Sequence, residues 1–331
     1  MSEFTLSKGF MLKLYSNKNS NVFKRAGEAL IKDKEIIPDS TNIKVGIVYD
    51  DFNANSNISQ RWKSEYPGII IYSVAPRGKT LIMDDKVRFG KIMLEKMKRK
   101  EYMPPTYFNY QDIPSSTSET SIFFVKKAGS SAAKGVNAYY YRDMQNIDYS
   151  GSVIQQDLSN PDLIYDKDKN GYRYKIRAYV ILKGGKVYLH KLTWASRANT
   201  KFAVDNDSNN THLRRLCIVC QREGATFFLT DENIQNMDKV LASIRESAVE
   251  LKLVFDKEIA SIGNDEYSIL GIDYVVDSDK NAQIIEINHR SNYEHPRETT
   301  DNVDIPVIKD VLALLANGVK GNEGIDGLEE I

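Results

Sequence analysis

The sequence predicts a mixed α/β (α+β) protein with more than one subdomain, on three observations. Its 331 residues are enough for two or three subdomains around more than one core. The first 75 residues alternate between strand-like and helix-like segments, which is typical of a small α/β unit. From about residue 121, strand-like segments follow one another across short loops, which indicates antiparallel hairpins.

The N-terminal unit has three strand-like segments separated by two helical ones. We predict strands over 11–15, 43–49 and 68–74 and helices over 21–32 and 59–66. A further helix is expected over 85–100, because its apolar residues recur at helical spacing: Phe89, Ile92, Met93 and Met97. The segment MPPTY at 103–107 should end this helix, since proline breaks helices.

The later elements are predicted to be hairpins and two more helices. Residues 172–198 form a hairpin that turns at Gly184 and Gly185. Thr230 can cap a helix over 231–255, and a last helix is expected over 305–316. The glycine-rich, acidic segment 317–331 is expected to be a flexible tail.

Charge and composition argue against several classes of protein. Lysine plus arginine equals aspartate plus glutamate, 45 each, so bulk charge indicates neither nucleic acid nor anionic membrane as a partner. No apolar run approaches the ~18 residues of a membrane span, and the polar N-terminus lacks a signal-peptide core. Cys217 and Cys220 form a CxxC without a second pair, so two ordinary thiols are expected. We expect a cytoplasmic protein.

The segment YSILGIDYVVDSDKNAQIIEINHRSN, residues 267–292, predicts two antiparallel strands that carry acids among apolar residues. If the polar residues 278–281 form the loop, Asp277 faces Ala282. Counting back along both strands then places Asp273 directly opposite Glu286. Like charges opposed on one face repel, because their Cβ atoms lie about 4.5–5.5 Å apart.

A magnesium site would explain this pair of acids. Asn288 points to the same face as Glu286, so two carboxylates and an amide oxygen converge. Hard oxygen ligands of this kind suit Mg²⁺, which leaves its other positions to water and substrate phosphates. Two alternatives remain. A one-residue slip in register sends Asp273 and Glu286 to opposite faces, and salt bridges to Lys or Arg would also neutralise them.

The segment VKKAGSSAAKGV, residues 125–136, is the candidate partner for phosphate. Gly129 and Gly135, with the small residues between them, let backbone N–H groups approach an anion, and Lys126 and Lys134 supply positive charge. The segment is not a Walker A loop, because the spacing Gly-x₄-Gly-Lys-Ser/Thr is absent and strand-like sequence follows.

Several segments together resemble a known family. DDKV (84–87), the glycine-rich loop, VIQQDLSNPDLI, RYKIRAYVIL and LGIDYVVD…IIEIN occur in the order typical of the tubulin–tyrosine ligase-like branch of the ATP-grasp superfamily. The resemblance covers roughly residues 79–292. It implies an ATP-grasp fold with an N-terminal α/β domain (1–78), a central domain (79–157), a C-terminal antiparallel-sheet domain (158–316) and the tail. ATP would lie between the central and C-terminal domains.

The resemblance also implies roles for individual residues. Lys126 resembles the lysine that contacts ATP phosphates, and residues 129–135 resemble a loop that closes over them. The Gln156 carbonyl and Leu158 amide would bind the adenine edge. The resemblance further implies that Lys86 contacts the nucleotide and that Arg177 and Arg197 face the γ-phosphate and the acyl substrate. It implies that Mg²⁺ is bound by Asp273, Glu286 and Asn288.

The implied reaction is ATP-dependent joining of a carboxylate to an amine through an acylphosphate, adding a free amino acid to a peptide or protein. Lys175 stands where the family commonly has an acid, and Arg214 and Arg215 replace a Thr-Asn pair. These changes make the site more basic. We expect its cationic residues to hold carboxylates of an acidic acceptor or of incoming glutamate: Lys175, Arg177, Arg197, Arg214 and Arg215. The alternatives are an ATP-grasp small-molecule kinase, such as an inositol phosphate kinase, and a non-catalytic nucleotide-binding adaptor.

Overall fold

The computed structural model of the protein describes residues 2–7, 11–33, 44–50, 55–129, 135–202, 226–229, 234–293, 295–317 and 325–331. These residues form a mixed α/β structure with helices and several sheets, as the sequence predicts. None of the helices within these ranges is long and apolar enough to span a bilayer.

The N-terminal unit is built as predicted, with one extra strand at its edge. Its elements are β1 (Ser2–Ser7), β2 (Met11–Ser16), α1 (Ser20–Lys32), β3 (Lys44–Tyr49), α2 (Asn55–Glu65) and β4 (Ile70–Val74). Strands β2, β3 and β4 are parallel, because a helix returns the chain between consecutive strands. The added strand β1 pairs antiparallel with β2.

Two helices connect this unit to the rest of the chain, α3 (Arg77–Asp84) and α4 (Lys86–Lys96). Asp85 separates them and caps α4 by accepting hydrogen bonds from two backbone amides. The predicted helix over 85–100 therefore ends four residues early. The backbone amide of Lys98 instead donates to the Glu250 carboxylate, a tertiary contact that outweighs local helical spacing.

A small antiparallel sheet follows in the order β5-β8-β6-β7. Its strands, called the small sheet below, are β5 (Thr106–Tyr107), β6 (Ile122–Lys127), β7 (Val136–Tyr140) and β8 (Ser152–Gln156). The ends of the predicted phosphate loop meet here, because the Lys127 amide donates to the Gly135 carbonyl at 2.9 Å. A two-stranded ribbon, β9 (Ile164–Tyr165) with β10 (Gly171–Tyr172), leads to the next domain.

All other strands join one large sheet, which has eleven strands within the described residues. Its centre is the antiparallel pair β11 (Tyr174–Lys183) and β15 (Glu266–Val276), which is in register from Ile176 opposite Tyr274 to Lys183 opposite Tyr267. The other strands are β12 (Lys186–His190), β13 (Trp194–Arg197), β14 (Thr226–Leu229), β16 (Ala282–Asn288) and β17 (Leu328–Glu330).

Each central strand carries different neighbours at its two ends. At one end β15 pairs with β4 of the N-terminal unit and β11 pairs with β12. At the other end β15 pairs with β16 and β11 pairs with β13. The predicted hairpin turning at Gly184 and Gly185 is the β11–β12 connection.

The helices cover both faces of this sheet. α5 (Met237–Val254) and α6 (Asp256–Ala260) pack on the face that bears Ile176 and Ala178. α1 and α7 (Ile305–Asn317), which follows a short helical segment over 297–304, pack on the opposite face over Tyr179 and Ile181. Lys175 and Arg177 share that second face but line a cavity beside the small sheet.

The predicted pairing of Asp273 with Glu286 is confirmed, but the predicted loop is not. Val276, rather than Asp277, pairs with Ala282, so the loop has five residues. A β-bulge at Ile285 then shifts the register by one residue and restores the opposition of the two acids. The Asp277 carboxylate explains the longer loop, because it accepts hydrogen bonds from the backbone amides of Asp279 and Asn281.

Two other predictions need correction. Residues 234–236 precede α5 without being helical, so the helix begins at Met237; Thr230 and 231–233 lie outside the described residues. Part of the predicted flexible tail forms β17, which pairs with β12 through Leu328 opposite His190. Apolar Leu328 and Ile331 pack against the cores there, which explains the order. Cys217, Cys220, Arg214 and Arg215 lie outside the described residues.

Arg290 ties the N-terminal unit to the strand that carries Glu286 and Asn288. Its guanidinium is buried and donates to the carbonyls of Asp50 and Ala75, which follow β3 and β4. The Lys18 ammonium donates to the Arg290 carbonyl at 3.0 Å. One arginine thus satisfies carbonyl groups at the ends of two parallel strands.

We expect Arg290→Met to destabilise the protein by roughly 2–4 kcal/mol, because two buried carbonyl groups would lose a donor. Chemical denaturation measures this, and amide exchange in β3 and β4 should rise with it. Arg297→Met is the matched control, since the Arg297 side chain is 93% exposed, and it should stay within about 0.5 kcal/mol of the parent. Equal effects of the two substitutions would contradict this account of Arg290.

Candidate functional site

A cavity of about 180 Å³ lies between the small sheet and the large sheet. We call it the cleft. One part of its lining is apolar and consists of Pro104, Phe124, Val136, Leu158, Pro161, Val275, Val276 and Ile285. Another part is charged or polar and includes Lys126, Lys175, Arg177, Asp273, Glu286 and Asn288. The cleft therefore suits a ligand that combines an apolar ring with negative charge.

The charged part is built on one row of residues across the large sheet. Glu286 on β16, Asp273 on β15 and Arg177 on β11 lie directly opposite one another. Residues that are directly opposite share a face, so backbone pairing alone brings these three side chains together. Trp194 on β13 ends the row, and the Arg177 guanidinium lies 5.5 Å above its ring.

Asp273 is a buried carboxylate with two positive partners. Arg177 donates to both of its oxygens, and the Lys175 ammonium donates to Oδ2 at 2.8 Å. Burial alone would raise the pKa of Asp273, but Arg177 and Lys175 outweigh burial and hold the pKa far below its usual range. Salt bridges, the alternative named above for neutralising the acids, are therefore present at Asp273.

Glu286 is paired more loosely. Its Oε1 lies 2.9 Å from the Lys86 ammonium, and its side chain keeps 28% exposure toward the cleft. Asn288 donates from Nδ2 to the Gly271 carbonyl at 3.4 Å, which orients the amide oxygen to the other side. Lys86 begins α4, so the predicted nucleotide-binding lysine contacts Glu286 from a separate element.

Lys126 bridges the two sheets. Its ammonium donates to Gln155 Oε1 on β8 at 2.5 Å and to the Ile285 carbonyl on β16 at 3.2 Å. Because Ile285 is the bulged residue, its carbonyl is available to a side chain from outside the large sheet. Burial lowers the pKa of Lys126 to about 8, although Glu286 and Asp273 favour the charged form.

The predicted adenine-binding residues lie at the apolar part of the cleft. Gln156 ends β8, and Leu158 follows two residues later. The Leu158 amide donates to the carboxylate of Asp157 at 2.9 Å. That carboxylate forms a buried two-point ion pair with Arg173, with contacts of 2.6 Å, and this pair holds the end of β8 against the large sheet.

The other predicted residues fall around the cleft rather than in its lining. Gly129 follows β6 with a φ of +67°, a conformation that favours glycine, and Gly135 precedes β7. Lys134 and residues 130–133 lie outside the described residues. Arg197 pairs opposite Tyr174, so it lies on the sheet face opposite Arg177, and its guanidinium stacks on Tyr172 at 4.4 Å.

Asp273, Glu286 and Asn288 have the chemistry that Mg²⁺ prefers, two carboxylates and an amide oxygen. The described ranges hold no group of three His, Cys, Asp or Glu residues arranged to bind a metal ion, so a metal here would need the Asn288 amide oxygen as a ligand. The residues fit one ion held chiefly by Glu286 and Asn288, because both Asp273 oxygens already accept from cations.

Two positions that support the cleft without lining it were not predicted. Gly271 lies on β15 beneath Arg177, and a Cβ there would lie 2.7 Å from Arg177 Nη1 and 2.0 Å from Ser291 Oγ. A glycine inside a strand indicates a close approach of this kind, so the signal was readable. The contact of His289 with Asp84, 3.1 Å, joins α3 to the end of β16, and no sequence pattern indicates it.

Sequence comparison supports the resemblance drawn from the motifs. The family model described as the tubulin-tyrosine ligase family matches residues 82–322, well over half of the chain. The match includes α4, the small sheet and all of the residues that line the cleft. No curated protein matches this chain.

The pKa of Lys126 gives a pH-dependent prediction. Its folded value of about 8 lies below the ordinary 10.5, so near pH 7 the folded protein holds a buried charge that unfolding relieves. As pH rises from 8 to 10.5 this cost disappears. The parent should therefore gain up to about 3 kcal/mol of stability relative to Lys126→Met over that range.

Denaturation of both proteins at pH 7, 8, 9 and 10 measures this difference. Lys186→Met is the control, because the surface ion pair with Glu330 raises the pKa of Lys186 rather than lowering it. If the stability difference between the parent and Lys126→Met does not change with pH, then burial does not lower the pKa of Lys126.

Proposed function

The chain belongs to the tubulin–tyrosine ligase family, and on that premise we propose that it joins an amino acid to a peptide or protein with the energy of ATP. Members of this family are in general ATP-dependent ligases that form amide bonds. The acceptor that we propose is acidic, and the intermediate is an acylphosphate. Tubulin itself is one candidate among acidic acceptors.

One observation carries the proposal: a single cleft joins an apolar wall to a cluster of cations and carboxylates, and its two sides come from different sheets. Lys126 from the small sheet meets Glu286 and Asp273 from the large sheet across this space. A nucleotide needs this combination, since its base is apolar on both faces and its phosphates are anionic.

We propose the following placement of ATP. The base lies against Leu158, Phe124 and Val275, with its edge toward the backbone of Gln156 and Leu158. The phosphates lie near Lys126 and Lys86, whose ammonium groups then exchange protein oxygens for phosphate oxygens. Because phosphate favours the charged form of Lys126, the protein should take up protons on binding near pH 8.

The chemistry then needs charge stabilisation more than a protein nucleophile. An acceptor carboxylate oxygen attacks the γ-phosphorus, the bond to the bridging oxygen breaks, and ADP leaves. The amine nitrogen attacks the acyl carbon and expels inorganic phosphate, and its proton passes to solvent. Glu286 and Asn288 would hold Mg²⁺, which would offset the negative charge of the phosphates. Arg177, held by Asp273 and Ser291, is a fixed positive charge beside these oxygens.

Two other functions use the same cleft. A small-molecule kinase would transfer the γ-phosphoryl group to a hydroxyl, and the surplus of cations suits a phosphorylated substrate. A nucleotide-binding adaptor would hold ATP without turnover. The presence of Asp273, Glu286 and Asn288 together in one cleft favours a catalyst over the adaptor.

Turnover assays separate the three functions. The protein is incubated with Mg²⁺-ATP, mixed amino acids and acidic peptides, and the products are followed by mass spectrometry and phosphate release. We expect ADP, inorganic phosphate and a peptide that is heavier by one amino-acid residue. Lys126→Met should lower turnover about 10²-fold or more, on the scale of one lost transition-state contact, whereas Lys186→Met should match the parent.

A phosphorylated small molecule with no free phosphate would show a kinase instead. Nucleotide binding without any product, across peptides and amino acids, would favour the adaptor. Turnover by Lys126→Met at the parent's rate would overturn the proposed placement of the phosphates even if ligation were observed.

A further inference from the structure

Lys175 is the second cationic partner of the Asp273 carboxylate, beside Arg177. Its ammonium lies 2.8 Å from Asp273 Oδ2, and its side chain is 18% exposed, so it faces the cleft rather than bulk solvent. Arg177 donates to both Asp273 oxygens from the other direction. The Asp273 carboxylate thus has three donated hydrogen bonds in total and is a poor remaining ligand for a metal.

The net charge of the cleft also favours a single metal ion in the nucleotide complex. Two ion pairs at the cleft, Arg173 with Asp157 and Lys280 with Asp162, balance internally. Among the other described residues there, Lys86, Lys126, Lys175 and Arg177 are cationic and Asp273 and Glu286 are carboxylates, so two positive charges remain. A nucleoside triphosphate carries roughly four negative charges at neutral pH, about two of them on its terminal phosphate.

One divalent cation therefore neutralises the nucleotide-bound cleft, whereas two would leave it with two surplus positive charges inside a partly buried site. Surplus buried charge is costly, because the interior screens it poorly. The single ion has suitable ligands, since Glu286 has a second carboxylate oxygen beyond the contact with Lys86 and the Asn288 amide oxygen is turned away from Gly271.

We propose that the ammonium of Lys175 replaces a second divalent cation, so that the nucleotide complex holds one metal ion, bound by Glu286 and Asn288. This inference rests on the proposed nucleotide site. It makes Lys175 a positioning residue that fixes metal stoichiometry through Asp273. The complex should then need one equivalent of metal where a cleft without this lysine needs two.

Counting bound Mn²⁺ tests the proposal without any turnover. Mn²⁺ is titrated against the protein with a nonhydrolysable ATP analogue, with protein in excess so that all nucleotide is bound. Electron paramagnetic resonance reports the Mn²⁺ that loses its aqueous signal. We expect one Mn²⁺ per nucleotide for the parent and two for Lys175→Met, which removes one of the two donors to Asp273 Oδ2 and leaves only Arg177 there. Lys175→Arg keeps the charge and should return the count to one.

Control variants show whether a change in the number of bound Mn²⁺ ions is specific to Lys175. Lys186→Met removes the lysine of a different ion pair, in which the ammonium lies 2.9 Å from the Glu330 carboxylate. This variant should still bind one Mn²⁺ per nucleotide. Glu286→Gln should lose most of the affinity for that ion. If Lys175→Met melts and binds the analogue as the parent does, the variant is folded. If Lys175→Met does not fold, Lys175→Arg provides the test, because two Mn²⁺ ions bound to Lys175→Arg would contradict the proposal.

The outcomes separate this inference from the proposed function. Two Mn²⁺ ions per nucleotide in the parent, or one in a folded Lys175→Met, would overturn the role of Lys175 while leaving nucleotide binding and ligation intact. A parent that binds neither the analogue nor Mn²⁺ would overturn the proposed nucleotide site and this inference with it.

Discussion

The cleft depends on one buried carboxylate. Asp273 lies at the centre of the large sheet, where an unpaired negative charge would be strongly destabilising. Its neighbours on the same face are therefore constrained: Arg177 must lie across the adjacent strand, which requires a residue without a side chain at Gly271. Lys175 completes the neutralisation. Arg177 and Lys175 therefore stabilise the buried Asp273 carboxylate and also supply positive charge to the cleft.

The bulge at Ile285 connects the two sheets. It places both Ile285 and Glu286 toward the cleft between the core residues Ile284 and Ile287. The carbonyl of Ile285 then accepts from Lys126 of the small sheet. Fold and site share this feature, because one extra residue both restores the opposition of the acids and gives Lys126 a carbonyl partner on the large sheet.

Much of this arrangement could be predicted from local patterns, and the errors have physical causes. Counting back from an assumed loop at 278–281 predicted the opposition of Asp273 and Glu286, yet this loop was one residue too short and the bulge compensated. Apolar residues up to Met97 recur at helical spacing, but the tertiary contact of Glu250 with the Lys98 amide ends α4 at Lys96. The sheet face of Arg197 and the partners of Lys86 depend on contacts between distant segments, which a single sequence does not display.

The central claim is that the cleft between the two sheets binds the triphosphate at Lys126. A crystal structure of the protein with Mg²⁺ and a nonhydrolysable ATP analogue tests it most directly. This account predicts the base beside Leu158, with phosphate oxygens in contact with the Lys126 ammonium in place of the Ile285 carbonyl. An analogue bound elsewhere, with Lys126 still donating to Ile285, would contradict it.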